Sequence, residues 1–210
     1  MRLCAFVASI VFSNFSYFSF MERAYEEDKQ FEGVDYTIKK LLVGNYENCR
    51  FTNCNFAETD LSKITFIDCV FDNCNLSAAN INGTSFQETK FVNCKLLGLH
   101  FENCNSFLFT VQFDHCMLNL SGFYKMNLKS FQFSNCSLQE VDFTEADLSY
   151  AVFHECNLLG AMFDQTNLEK ADLRTAINFS IDPENNKLKK AKFSMAGLTG
   201  LLHKYDLTIS

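Results

Sequence analysis

The sequence has a period of five. Stepping from Phe31, the positions read Phe31, Tyr36, Leu41, Tyr46, Phe51, Phe56, Leu61, Phe66, Phe71, Leu76, Ile81, Phe86, Phe91, Leu96 and Phe101. A second run starts at Phe113 and continues through Leu118, Phe123, Leu128, Phe133, Leu138, Phe143, Leu148, Phe153, Leu158, Phe163 and Leu168 to Leu173. Phe, Tyr, Leu and Ile make up 62 of the 210 residues, so two unbroken runs of this length do not arise by chance. An internal repeat outranks every other signal, because each unit must bury its apolar side against its neighbours.

Two residues before each large residue the chain is mostly small: Cys49, Cys54, Thr59, Cys69, Cys74, Ala79, and later Cys116, Ser121, Cys136, Ala146, Ala151 and Cys156. Ile64, Leu99, Met126 and Phe131 are the exceptions. Two inward residues spaced by two obey strand alternation, and the other three face out or turn a corner. Four such units closing a square make a coil of twenty residues, and coils then stack as parallel strands about 4.8 Å apart. Phe113, Phe133 and Phe153 form one ladder and Phe123, Phe143 and Phe163 another. Leu118, Leu138 and Leu158, with Leu128, Leu148 and Leu168, fill the two remaining sides. The expected fold is all-β, a four-sided parallel solenoid with Phe on two opposite faces.

This pattern resembles the pentapeptide-repeat family, whose consensus is A(D/N)LXX. "EADLS" at 145–149 and "TNLEKADLRTA" at 166–176 match it closely, and the resemblance covers roughly residues 25–209. It implies a right-handed quadrilateral β-helix. The closing stretch "SIDPENNKLKKAKFSMAGLTGLLHKYDLTI" resembles the C-terminus of the topoisomerase-protecting subgroup, the Qnr/McbG type. That resemblance implies a tail-to-tail homodimer and a surface that imitates duplex DNA on DNA gyrase or topoisomerase IV.

Nine of the ten cysteines lie in the inward frame, with Cys54, Cys74 and Cys94 spaced by twenty, as are Cys116, Cys136 and Cys156. Parallel side chains on stacked coils hold Cβ atoms about 4.8 Å apart, beyond the 3.5–4.5 Å typical of a disulfide. A straight column of thiols also fails to converge tetrahedrally on zinc. The thiols are therefore read as small buried hydrophobes, which suits a reducing cytoplasm. No metal or cofactor is expected.

Residues 1–24 form an N-terminal extension. Arg2 and an apolar run look signal-like, but Ser and Asn interrupt the run and no A-x-A site follows. Met21 is taken as the natural start, against a cleaved signal or an associating tail. The repeat domain spans 25–178, with two extra residues in a twelve-residue step near 102–112, a bulged corner or small loop where Phe107, Leu108 and Phe109 are expected to keep packing with at most a short outward excursion. Residues 179–210 form a cap. Leu198, Leu201, Leu202 and Tyr205 follow helical spacing, so a short α-helix is expected there. With Phe193 they are the candidate dimer contact.

Residues 31–178 carry 18 acidic and 10 basic side chains. From 131 to 169 there are Glu140, Asp142, Glu145, Asp147, Glu155, Asp164 and Glu169, with no Lys or Arg. These seven are the candidate partner-binding face. Seven coils span about 34 Å, a length over which duplex DNA carries about 20 charges, so any imitation is partial and belongs to one face. Asp142 and Asp147 precede large inward residues, where the family carries a structural Asp or Asn. A net charge of −7 argues against direct nucleic-acid binding and for a basic partner, and no membrane role is expected. His100, His115, His154 and His203 are scattered without a catalytic partner. A non-enzymatic topoisomerase-binding protein is the leading reading, and a generic interaction scaffold is the alternative.

Overall fold

The computed structural model describes residues 23–205 and 207. Among them are eleven short strands: β1 (Ala24–Glu27), β2 (Gln30–Glu32), β3 (Gly44–Glu47), β4 (Arg50–Thr52), β5 (Thr65–Ile67), β6 (Val70–Asp72), β7 (Ser85–Gln87), β8 (Thr89–Val92), β9 (Val111–Asp114), β10 (Gln132–Ser134) and β11 (Val152–His154). Every pairing is parallel. Strands β2, β4, β6, β8, β9, β10 and β11 make one sheet along the tower, called here the first side. Strands β1, β3, β5 and β7 make a second sheet on the adjoining fourth side. The second and third sides are held by isolated parallel bridges, such as Asn75↔Lys95↔Met117↔Ser137↔Asn157 and Gly122↔Asp142↔Met162. The register is twenty residues, as in Phe51↔Phe71, and becomes twenty-two once, at Phe91↔Phe113. The fold is an all-β, right-handed quadrilateral parallel β-helix of about seven turns.

The corners explain the period. The second residue after most of the large ones takes left-handed backbone, as at Asn48, Asn53, Glu58, Lys63, Asp68, Asn73 and Ala78. Gly83, Gly98 and Gly160 occupy the same position. Asn and Gly suit this region, and other side chains enter it at a cost. The residue before each large one is often Asn or Asp. Its side-chain oxygen accepts the N–H two residues on: Asp60 from Ser62 at 3.0 Å, Asn75 from Ser77 at 3.1 Å, Asp172 from Arg174 at 3.2 Å. Such Asx turns pin the chain before it bends.

Inside, the rings stack in columns. On the first side Phe31, Phe51, Phe71 and Phe91 follow one another at centroid distances of 4.8, 4.8 and 5.0 Å. Phe113, Phe133 and Phe153 continue the column. On the third side Phe101, Phe123, Phe143 and Phe163 stack at 4.8, 5.4 and 5.3 Å. All the ladder phenylalanines but the first, Phe31, are buried. Phe on opposite faces, as expected, describes the upper half of the tower. In the lower half Phe occupies adjacent sides, because Tyr46, Phe66 and Phe86 stack on the fourth while Leu61 and Ile81 fill the third.

All nine cysteines of the described residues are free; eight are buried and Cys104 is partly so. Six of them, Cys54, Cys74, Cys94, Cys116, Cys136 and Cys156, follow the corner between the first and second sides. Each thiol has a backbone carbonyl to donate to. Cys69 reaches Tyr46 O at 3.2 Å and Ile67 O at 3.4 Å, and Cys94 reaches Val92 O at 3.2 Å. Burial raises the Cys69 thiol to about 12.

The two extra residues sit between Asn105 and Val111, on the fourth side. Asn105 N still bonds Thr84 O across one coil, and Thr110 N bonds Phe86 O. The expectation that this stretch keeps packing holds only for Phe109, which stacks on Phe131 at 6.0 Å. Phe107 and Leu108 are 68% and 59% exposed, because the square has no room for more than one large side chain per side. The expected α-helix at the C-terminus is instead two 3₁₀ stretches, Ala196–Leu201 and His203–Tyr205. Backbone contact sets this geometry. A Cβ at Gly200 would lie 2.7 Å from the Phe179 ring, and one at Gly197 2.9 Å from it, so the cap presses its main chain onto Phe179. The question of where translation begins concerns residues outside those described.

Candidate interaction surface

The tower is filled by side chains, so function must lie on its outside. The seven candidate carboxylates of 131–169 do not gather on one face. Glu140 stands at the edge between the second and third sides, and Glu145 at the edge between the third and fourth. Both hold left-handed corner positions and are exposed. Asp142 and Asp164 lie between these two edges, so the third side carries four of the seven. Asp147 and Glu169 belong to the fourth side. Glu155, also an exposed corner, stands alone at the edge between the first and second sides.

Several of these groups already have partners. Asp142 accepts the Thr144 N–H at 2.8 Å. Asp147 accepts the Ser149 N–H at 3.0 Å and an Asn167 amide proton at 2.9 Å. Asp164 accepts from the Asn185 amide. Glu145 pairs with Lys125 at 3.2 Å and accepts the Tyr124 hydroxyl at 3.0 Å. Glu140 and Glu155 have no side-chain partner among the described residues and are the most available to another molecule.

The cap is tied down by charge. Lys204 lies 2.7 Å from both Asp182 and Glu184. Its ammonium holds both carboxyls below their usual range, and the two anions raise the lysine in turn. Of the candidate dimer residues, Phe193 packs on Phe179 at 5.5 Å and Leu201 turns to the core. Leu202 is half-buried, whereas Leu198 and Tyr205 face outward, the Tyr205 hydroxyl donating to Glu184 at 2.9 Å. The helical-spacing argument missed Met195, 84% exposed, and Leu207, 59% exposed. Only position relative to the last corner could have revealed them. Leu159 and Ile177 extend this apolar surface, bordering a groove of about 410 Å³ against Gly197, Thr199 and His203.

Among the described residues, no three His, Cys, Asp or Glu side chains come together as metal ligands, and no helix is long and apolar enough to cross a membrane. His100 and His115 pair with their neighbours Glu102 and Asp114, each at 2.9 Å. His154 lies beside the Thr175 hydroxyl, and His203 sits on the cap. The four histidines do not converge.

A family profile described as "Pentapeptide repeat region" matches residues 45–107 and 106–202. No curated protein matches the sequence. Among solved structures, trypsin-treated QnrB1, described as a plasmid-mediated fluoroquinolone resistance protein, superposes with a TM-score of 0.54. It is 19% identical over 88% of this chain and 91% of that one. HetL, a pentapeptide repeat protein involved in heterocyst differentiation regulation in the cyanobacterium Nostoc sp. strain PCC 7120, is 17% identical. That alignment covers 81% of this chain and 84% of HetL, with a TM-score of 0.48. At 19% identity the likeness to QnrB1 is one of fold.

Proposed function

The chain belongs to the pentapeptide-repeat family, and from that premise we propose that it is a non-catalytic binding protein for a type II topoisomerase. It would occupy the DNA-gripping surface of DNA gyrase or topoisomerase IV and shield the enzyme from quinolone-type inhibitors or a peptide toxin. The observation that carries this reading is a stiff, filled tower that projects Glu140, Glu145 and Glu155 from three of its edges, in a 39-residue stretch without a cation. A basic groove built for duplex DNA meets such a rod as a partial substitute. The exposed Leu198, Tyr205 and Met195 at one end support a homodimer through the cap, and the free buried thiols support residence in the cytoplasm.

Exposed charges are screened over about 8 Å at physiological salt, so the complex weakens as salt rises. Purified protein is expected to compete with labelled duplex DNA for gyrase at low salt. Reversal of Glu140, Glu145 and Glu155 to Lys is expected to abolish that competition while the fold persists. Equal competition by the triple variant, or none by the natural sequence, overturns the proposal. The scaffold reading draws on the occupied state of Asp142, Asp147 and Glu145, which serve the tower itself.

A further inference from the structure

Net charge conceals a reversal near the C-terminal end. From residue 170 to 205 the chain has seven cations (Lys170, Arg174, Lys187, Lys189, Lys190, Lys192 and Lys204) against three carboxylates, Asp172, Asp182 and Glu184. The carboxylates are committed: Asp172 pairs with Arg174 and Lys192, and Asp182 and Glu184 with Lys204. Lys170, Lys187, Lys189 and Lys190 have no anionic partner among the described residues, and all four are exposed.

The backbone register places these four together. Lys187 bridges onto Asn167, and Lys170 N bonds Lys189 O at 3.0 Å. Lys187, Lys189 and Lys190 therefore flank the inward Leu188 on the fourth side, with Lys190 above Lys170 in one corner column. Below Lys170 in that column stands Tyr150, whose exposed ring lies under two ammonium groups, Lys170 at 4.5 Å and Lys129 at 5.6 Å. Some stacked outer positions elsewhere are matched: Asn48 donates to Asp28 at 2.6 Å, Arg50 pairs with Asp72 and Lys125 with Glu145, while Glu27 faces Glu47 with the Tyr25 hydroxyl bonded to both. Like charges stacked directly oppose folding, and no ion pair among the described residues offsets Lys190 on Lys170; beside them Glu169 faces Lys189 across one coil without forming an ion pair. Asp147 and Glu169 are the carboxylates of the same side, and Asp147 is held by Ser149 and Asn167.

We propose that this lysine-and-tyrosine edge binds the phosphate backbone of duplex DNA. From the Lys129 rung to the Lys190 rung is three coil spacings, about 14 Å at 4.8 Å each. That length matches about four phosphates of one strand at 3.4 Å apiece. Lysine meets phosphate as a point charge. The site is distinct from the acidic third side and does not depend on any topoisomerase.

The test is fluorescence anisotropy of a labelled 20-base-pair duplex titrated with the full chain from low to moderate salt. The expected result is weak binding whose logarithm falls with log salt at a slope of about −3.6, the value for four neutralised phosphates. Lys170→Gln, Lys187→Gln, Lys189→Gln and Lys190→Gln together should weaken binding at least tenfold and flatten the slope. Lys39→Gln with Lys40→Gln, at the other end of the tower, should leave both unchanged. No binding by the natural sequence at low salt overturns the proposal. So does equal binding by the quadruple variant, an equal loss in the Lys39/Lys40 variant, or displacement by polyglutamate as effective as by unlabelled duplex.

Discussion

The corner between the fourth and first sides is built in two ways. In the lower half Cys49, Cys69 and Thr89 follow it, the chain stays extended on both flanks, and strands β3, β5 and β7 exist because of it. Their thiols and hydroxyl donate to the carbonyl two residues back: Cys49 to Glu47 at 3.3 Å, Cys69 to Ile67 at 3.4 Å, Thr89 to Gln87 at 3.3 Å. In the upper half Phe131, Ala151 and Ala171 follow the same corner. Each donates its N–H to the large residue three before, at 3.1, 3.0 and 3.0 Å, and the fourth-side strands disappear. The large residue does not decide this. Phe143 precedes a tight corner closed by Ala146 N–H, whereas Phe153 precedes an open one whose Cys156 thiol bonds His154 O at 3.4 Å. Alanine after a corner always goes with the tight type, whereas a short donor occurs at both: the N–H groups of Thr59, Thr84 and Ser121 close onto the large residue three before.

The strongest blow to both halves should come from the core. Phe143→Ala, with stacked neighbours above and below, should cost about 3–5 kcal/mol in chemical denaturation. Phe66→Ala should cost as much in the lower half. A loss below about 0.5 kcal/mol at either site would mean that its half is not packed as described.

A smaller effect appears with pH. Burial raises the Cys69 thiol from 9.0 to about 12, so the unfolded chain loses its proton first. Stability from this thiol is complete below pH 9 and is lost as pH climbs from 9 towards 12. Denaturation midpoints measured from pH 7 to 11 should fall above pH 9, and Cys69→Ala should lessen the fall. A flat profile would contradict the burial.

At neutral pH, Cys69→Ala should cost about 1 kcal/mol, the usual net worth of a hydrogen bond, and Cys69→Thr less, since Thr89 already does the same work at Gln87. If Thr is no better than Ala by thermal melting, the donor is not what holds the corner open. The smallest effect belongs to the junction between the halves. Removing Phe107 and Leu108 restores the twenty-residue step and should shift stability by no more than about 0.5 kcal/mol, whereas a large loss would show that the bulge anchors the register change.

Most of this fold was legible because inward packing has a strict period. The Phe and Leu ladders, the buried thiols and the structural role of Asp142 and Asp147 all follow from position in the frame. The corner chemistry was also written there, in the Asn and Gly two places after the large residues, but Glu58, Lys63 and Ala78 take the same backbone and blur the signal. The cap was misread as α-helix because Leu198, Leu201, Leu202 and Tyr205 fit helical spacing, while the close approach of Gly197 and Gly200 to Phe179 cannot be seen in spacing. The acidic surface was the least legible part. Sequence proximity from 131 to 169 wraps almost two coils, so carboxylates adjacent in sequence point to different sides.

The central claim is that this tower shields a type II topoisomerase. Its most direct test is DNA supercoiling by gyrase inhibited with a fluoroquinolone, with purified protein added at increasing concentration. Restored supercoiling with the natural sequence, and none with Glu140, Glu145 and Glu155 all changed to Lys, is the predicted result. No restoration by the natural sequence, or the same restoration by the triple variant, would contradict it.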